Sequence, residues 1–200
     1  MKKDSCSQAG ENNPKINLGA IKVNKSIPLI LFLLVIFGVK IGTVSANTND
    51  SPQPFEETFP EIGYKTVEEA LEDAEQHLKK ELQLPTRVPP ISFTHHFGRF
   101  SNLDGNINDT FEVKFISDQL PENHYKIDIR PVKYKIPIRE KYVLKAFKLK
   151  NGNVATYMSI SGFNTLVFDR GNWQYMLNID KRLSNLVPPE TLVEIANSIK

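Results

Sequence analysis

The side chains best able to do chemistry are few, and their spacing does not converge. His95 and His96 are adjacent; in a strand, neighbours point to opposite faces, so the pair cannot close on one metal ion. Ser159-Ile160-Ser161-Gly162 is the nearest approach to a nucleophile motif, but it lacks the flanking glycines of a strained strand-to-helix elbow. The acid pairs Glu68-Glu69 and Glu72-Asp73 fall in a stretch of helical periodicity, where exposure to water is the ordinary role of carboxylates. No glycine-rich phosphate loop of recognised spacing occurs. The expectation is a chain without catalytic residues, metal ligands or another cofactor.

A separation of charge offers a better lead. Residues 126–150 hold nine lysines and arginines against Asp128 and Glu140, a net of +7, whereas residues 50–81 carry a net of −7. Solvated faces that partly complement one another account for such blocks. The functional reading is a basic strip of Lys126, Arg130, Lys133, Lys135, Arg139 and Lys141 that meets an anionic envelope polymer, lipid headgroups or an envelope protein. Tyr157, Trp173 and Tyr175 supply the aromatic surface such a site would use, although strand periodicity places them more naturally in a core. The exported part, residues 47–200, has a net charge of only −2, which argues against general nucleic-acid binding.

Location is more legible than chemistry. From Ile27 to Val39 run thirteen uncharged, mostly apolar residues, about 20 Å of helix and short of the roughly 30 Å hydrocarbon core. Val44 and Ala46 stand at the −3 and −1 positions of a signal-peptidase site, giving cleavage after Ala46. If Lys40 carries its ammonium outward, the run extends over 27–46 and anchors the chain. Residues 27–46 are therefore a transmembrane anchor or a signal segment. Either way the basic leader, residues 1–26, stays in the cytoplasm and the remainder crosses. The protein is then a single-pass membrane protein or, if cleaved, a secreted one. The sole cysteine, Cys6, precedes this run, so the exported part forms no disulfide.

The elements that would position a site follow from periodicity. Residues 47–63 hold three prolines without an apolar period and read as a flexible tether. Thr66 with Glu69 forms a capping box for a helix that Pro85 closes, with a stripe of Val67, Ala70, Leu71, Ala74, Leu78 and Leu82. Beyond Pro89-Pro90 the period becomes two. Phe111, Val113 and Phe115 share one face; so do Tyr125, Ile127 and Ile129, then Val154, Thr156, Met158 and Ile160, then Trp173, Tyr175, Leu177 and Ile179. Pro131 interrupts a strand whose phase slips to Val132, Tyr134 and Ile136. Asn151-Gly152 is the strongest hairpin signal and predicts a type I′ turn, with further reversals at 161–164 and 169–172. Residues 188–200 end the chain as a second amphipathic helix. The fold class expected for residues 64–200 is α+β: an antiparallel β-meander of six or seven strands packed against an N-terminal and a C-terminal helix, preceded by one membrane-targeting helix.

The C-terminal third, from about Tyr142, with YMSISGFNTLVFDRGNWQYMLNI followed by LVPPETLVEIANSI, resembles bacterial extracytoplasmic domains of unknown function. These occur in membrane-anchored or secreted proteins, some associated with anti-sigma factors or likened to lipoprotein-carrier folds. The Glu-Ile-Ala-Asn-Ser-Ile ending and the tryptophan-bearing strand carry the likeness. It implies a non-catalytic binding or sensing module at the cell envelope and brings no catalytic residues with it. The alternatives are an envelope hydrolase with scattered residues, or a structural assembly factor of an envelope complex.

Overall fold

The computed structural model describes residues 53–200, apart from 103, 104 and 106. The leader and the apolar run at 27–46 lie outside the described residues. No helix among those described is long and apolar enough to cross a membrane.

Seven antiparallel strands form one sheet: β1 His95–Ser101, β2 Thr110–Ile116, β3 Tyr125–Pro131, β4 Val143–Lys148, β5 Val154–Ile160, β6 Phe163–Arg170 and β7 Trp173–Asp180. Their order is β1-β2-β3-β7-β6-β5-β4, two meanders joined where β3 pairs with β7. The α+β class is as expected, but the strands do not follow one another in a single meander. Residues 131–142 must therefore cross the sheet to reach the far edge. Where a strand was expected over Val132, Tyr134 and Ile136, the chain makes a short 3₁₀ turn at Val132–Tyr134 and continues as a strap. Pro131 and Pro137 remove two ladder donors from this stretch, so it cannot propagate as a strand.

One face of the sheet is the core. Phe111, Val113, Tyr125, Ile127, Ile129, Leu166, Phe168, Tyr175, Leu177 and Ile179 interdigitate there beneath two helices. The helix expected at Thr66 is α2, Val67–Leu78, with α1, Phe55–Glu61, preceding it. Both halves of its capping box are made, between the Thr66 hydroxyl and the Glu69 amide and between the Glu69 carboxylate and the Thr66 amide. It stops earlier than Pro85, at Lys79 in the left-handed region (φ 53°), and buries Ala70 and Ala74 over β1 and β2. Leu82 lies beyond the helix but is still buried, its amide donating to the Glu75 carboxylate at 2.8 Å. The C-terminal helix α3, Pro189–Ala196, opens on proline and buries Leu192, Ile195 and Ala196.

Three local expectations are corrected. The tether contains a helix, α1 Phe55–Glu61, because Phe55 and Phe59 stand four apart and share an aromatic stripe that the prolines obscured; Phe59 stacks on Phe97 at 4.6 Å. The Asn151-Gly152 hairpin is not type I′, since only Gly152 has positive φ; Gly152 donates to Leu149 O and Leu149 to Asn153 O, a three-residue loop with glycine at its left-handed position. The turn with two positive φ values is Ser161-Gly162 (49° and 83°), between β5 and β6. In β5, finally, Val154, Thr156, Met158 and Ile160 do share a face, but the register of Tyr157 with Leu166 and of Ala155 with Phe168 places Ala155 and Tyr157 in the core.

The approach of α2 to β1 depends on Gly98. A Cβ there would lie 2.8 Å from Ala70 Cβ, 2.8 Å from Val67 Cα and 2.9 Å from Thr66 O, and two of those atoms are backbone. Gly98 also exchanges two hydrogen bonds of 2.9 Å with Lys65, which closes the centre of the β1 edge. Gly98→Ala is expected to cost about 1–3 kcal/mol through overpacking. Denaturant unfolding of the full chain checks this, since the cost at Gly98 comes from the close approach of α2.

Candidate functional site

The site candidates lie on the outer face, opposite the core. Register places Arg99 opposite Glu112, Glu112 opposite Asp128, and Lys114 opposite Lys126. Two of these three pairings set like charges directly across the ladder, which alone would destabilise it. The network resolves the conflict diagonally. Lys126 Nζ lies 3.1 Å from Asp128 and 3.5 Å from Glu112, while Lys114 and Arg99 each approach Glu112 at 3.7 Å. Asn178 on β7 donates to Asp128 at 2.8 Å and accepts from the Thr165 hydroxyl of β6 at 2.9 Å. From above, Tyr64 donates its hydroxyl to Glu112, and its ring carries the Arg99 guanidinium at 4.4 Å and the Lys114 ammonium at 4.7 Å.

Their partners divide the two carboxyls, since burial acts on both alike. It pushes Asp128 above the usual aspartate range despite Lys126. It pushes Glu112 the same way, but the Tyr64 hydroxyl and the charges of Lys126, Lys114 and Arg99 outweigh it and hold Glu112 low. Lys114 is lowered, chiefly by burial; Lys126 is raised, because Asp128 and Glu112 overcome its desolvation. Burial, then Lys114 and Lys126, lower His124, which packs edge-on to Phe163 at 5.3 Å. A raised and a lowered carboxyl side by side is the pattern of an acid and a base. Here, however, both are occupied by internal partners, and none of the three cavities described next touches either.

The other half of the outer face is apolar and lies under the strap. Gln174 on β7 clamps the strap with one amide, accepting from Ile136 N at 2.8 Å and donating to Ile136 O at 3.0 Å. Val132 N donates to Asn172 O at 2.8 Å, and Lys135 pairs with Asp169 at 2.8 Å. Two open cavities share Ile136, Pro137, Ile138 and Val167. One, of about 330 Å³, is walled by Met158, Ile160, Met176 and Tyr142, with Arg139 as its charged residue. The other, of about 470 Å³, runs toward Val154, Thr156 and Asp169. A third, of about 360 Å³, lies against Trp173 and Tyr175 on the core side.

The basic strip and the aromatic trio do not meet. Tyr157, Trp173 and Tyr175 are 7 %, 6 % and 1 % exposed and belong to the core face. Trp173 Nε1 donates to Glu81 O at 3.0 Å and the Tyr175 hydroxyl to Gln83 O at 2.9 Å, so their polar tips hold the segment after α2. Burial raises the Tyr175 phenol to about 12. Lys126 joins the polar network, and Arg130 donates to the Thr110 hydroxyl at 2.8 Å. Lys133, Lys135, Arg139 and Lys141 ride on the strap, the first and last over the rings of Tyr134 and Tyr142. The recorded ion pairs of the basic block reach Glu112, Asp128, Asp169 and Glu190, not the acidic block at 50–81.

His95 and His96 do point apart, His95 to Glu56 at 2.6 Å and His96 to the Phe115 ring. No group of three or more His, Cys, Asp or Glu side chains among the described residues can hold a metal ion. Sequence reasoning missed Tyr64, Glu112, Asp128 and Gln174; the available signal was acids and an amide alternating with core residues in strands, on a face assumed to be solvated. No protein-family model, curated protein or solved structure matches the chain.

Two outcomes test this geometry. Lys126→Met leaves the Asp128 carboxyl without its cation. It is expected to cost about 2–4 kcal/mol near neutral pH, and that deficit should shrink on acidification. Folded Asp128, already raised above its unfolded value, would be raised further, so protonation favours the folded variant as the pH falls through that window. Urea titrations of wild type and variant at a series of pH values check the sign. Gln174→Glu keeps the acceptor for Ile136 N but removes the donor for Ile136 O, so amide exchange at Ile136 and in the strap should accelerate while the β2–β3 ladder stays protected.

Proposed function

We propose that the protein is a non-catalytic binding or sensing module of a bacterial cell envelope, anchored or released through residues 27–46, with its ligand surface on the strap-covered half of the outer face. One observation carries this reading. The charged half of that face is largely taken up by its own internal pairs, whereas the strap half leaves two open cavities, one of them largely apolar, beside exposed cations. Such a combination of apolar wall and few polar groups is the usual make-up of a binding site. The apolar run with its lysine-rich flank supports the location.

Protease added to intact cells or spheroplasts of the native host tests the location. Residues 53–200 are expected to be cleaved without lysis, or to be found outside the cells as a chain beginning at Asn47 by mass determination. Protection of the whole chain until the membrane is broken would overturn the reading.

A further inference from the structure

We infer that the strap and the neighbouring β5 rim form a docking surface for an anionic lipid bilayer. The inference rests on the reading of this half of the face as the binding surface, and it names the partner. Two features coincide there. Ile136, Ile138 and Val154 are 42 %, 41 % and 63 % exposed, an apolar group at the surface that the core does not need. Among them, residues 131–142 carry Lys133, Lys135, Arg139 and Lys141 against Glu140 alone.

The chemistry selects the partner. A soluble phosphate polymer would need the cations but would leave the isoleucines and Val154 in water. An apolar protein groove would bury the isoleucines but leave the cations unpaired. A bilayer with anionic headgroups satisfies both, taking branched side chains to the acyl boundary and cations to the phosphate level. Lys133 and Lys141 lie over the rings of Tyr134 and Tyr142 at 5.0 and 4.8 Å, and tyrosine paired with a cation suits a membrane–water interface. Lys135 is already paired with Asp169, so Lys133, Arg139 and Lys141 are the contributors. The prolines keep the strap from adding to a sheet, so its side chains rather than its backbone make the contact.

The test uses the full chain, reconstituted through residues 27–46 into every vesicle alike so that only docking of the folded part differs, with Cys6→Ser and one new cysteine, Val154→Cys on the outer face or Glu68→Cys on α2, labelled with an environment-sensitive dye. Vesicles are phosphatidylcholine alone or mixed with phosphatidylglycerol, each containing a nitroxide-bearing lipid as quencher. Quenching is expected at 154 and not at 68, on the anionic vesicles only, and it should fall as salt is raised. Adding Arg139→Glu and Lys141→Glu is expected to lower docking at 154 roughly tenfold or more, from the interaction of each cation with the anionic surface. Equal quenching at 154 and 68, none at 154, or quenching indifferent to lipid charge would overturn the inference. So would a dye at 154 that responds to soluble polyglycerol phosphate but not to vesicles. None of these outcomes depends on the compartment, which the protease experiment decides separately.

Discussion

The pairing of β3 with β7 is the constraint from which the rest of the structure follows. Seven residue pairs, from Tyr125 with Ile179 to Pro131 with Trp173, join strands that are more than forty residues apart in sequence. Once β7 occupies the place beside β3, the strands between them must be laid down from the far edge inward, β4 outermost. The chain leaving β3 then has four strand spacings to cover, about 19 Å. It can do so only over a face, and the core face is taken by α2, α3 and the segment after α2. The strap on the outer face is thus a consequence of topology. Its prolines and its Gln174 clamp are adaptations to that path.

The same constraint explains why the outer face has two characters. Strands β1–β3 with α1 and Tyr64 above them enclose Glu112 and Asp128, and enclosed carboxylates need cations at hand. Arg99, Lys114 and Lys126 supply them from alternate positions of the same strands. Strands β5–β7 lie under Ile136 and Ile138 instead, and there the outward positions are Met158, Ile160, Val167 and Met176. The boundary runs down β7, where Asn178 belongs to the polar half and Met176 to the apolar half, two residues apart on one strand.

Local chemistry was readable in the sequence; neighbour relations were not. The Thr66–Glu69 capping box, Pro189 at the start of α3 and the alternation in β2, β3 and β7 are satisfied within a few residues of themselves, so their signals survive in any tertiary setting. Strand order is set by which hairpins meet, and period-two patterns carry no information on that. The phase of β5 misled because both its faces are covered, one by the core and one by the strap, so apolar residues occur in both registers. Asn151-Gly152 misled because a glycine with positive φ serves either a two- or a three-residue loop. The basic strip was legible as charge, but not its division between Lys126, inside an ion-paired network, and the cations of the strap.

That division bears on where function can reside. A charge held by internal partners, as Lys126 is by Asp128 and Glu112, can respond to a ligand only by breaking them, which costs more than one anion at a half-open surface returns. Lys126 is therefore a poor contributor to recognition, however prominent it is in sequence. Lys133, Arg139 and Lys141 hold no ladder position and share a segment with Ile136 and Ile138, whose removal from water requires no rearrangement of the core. The strap is pinned at Val132, Lys135 and Ile136, and its exposed residues 137–141 pass beside a cavity of about 330 Å³ into a short 3₁₀ turn at Glu140–Tyr142. Met158 and Met176 in the cavity wall are unbranched and can re-pack around an inserted group. The stretch that carries Arg139 therefore lies over the apolar half of the outer face, while the paired charges of β2 and β3 hold the polar half beside it.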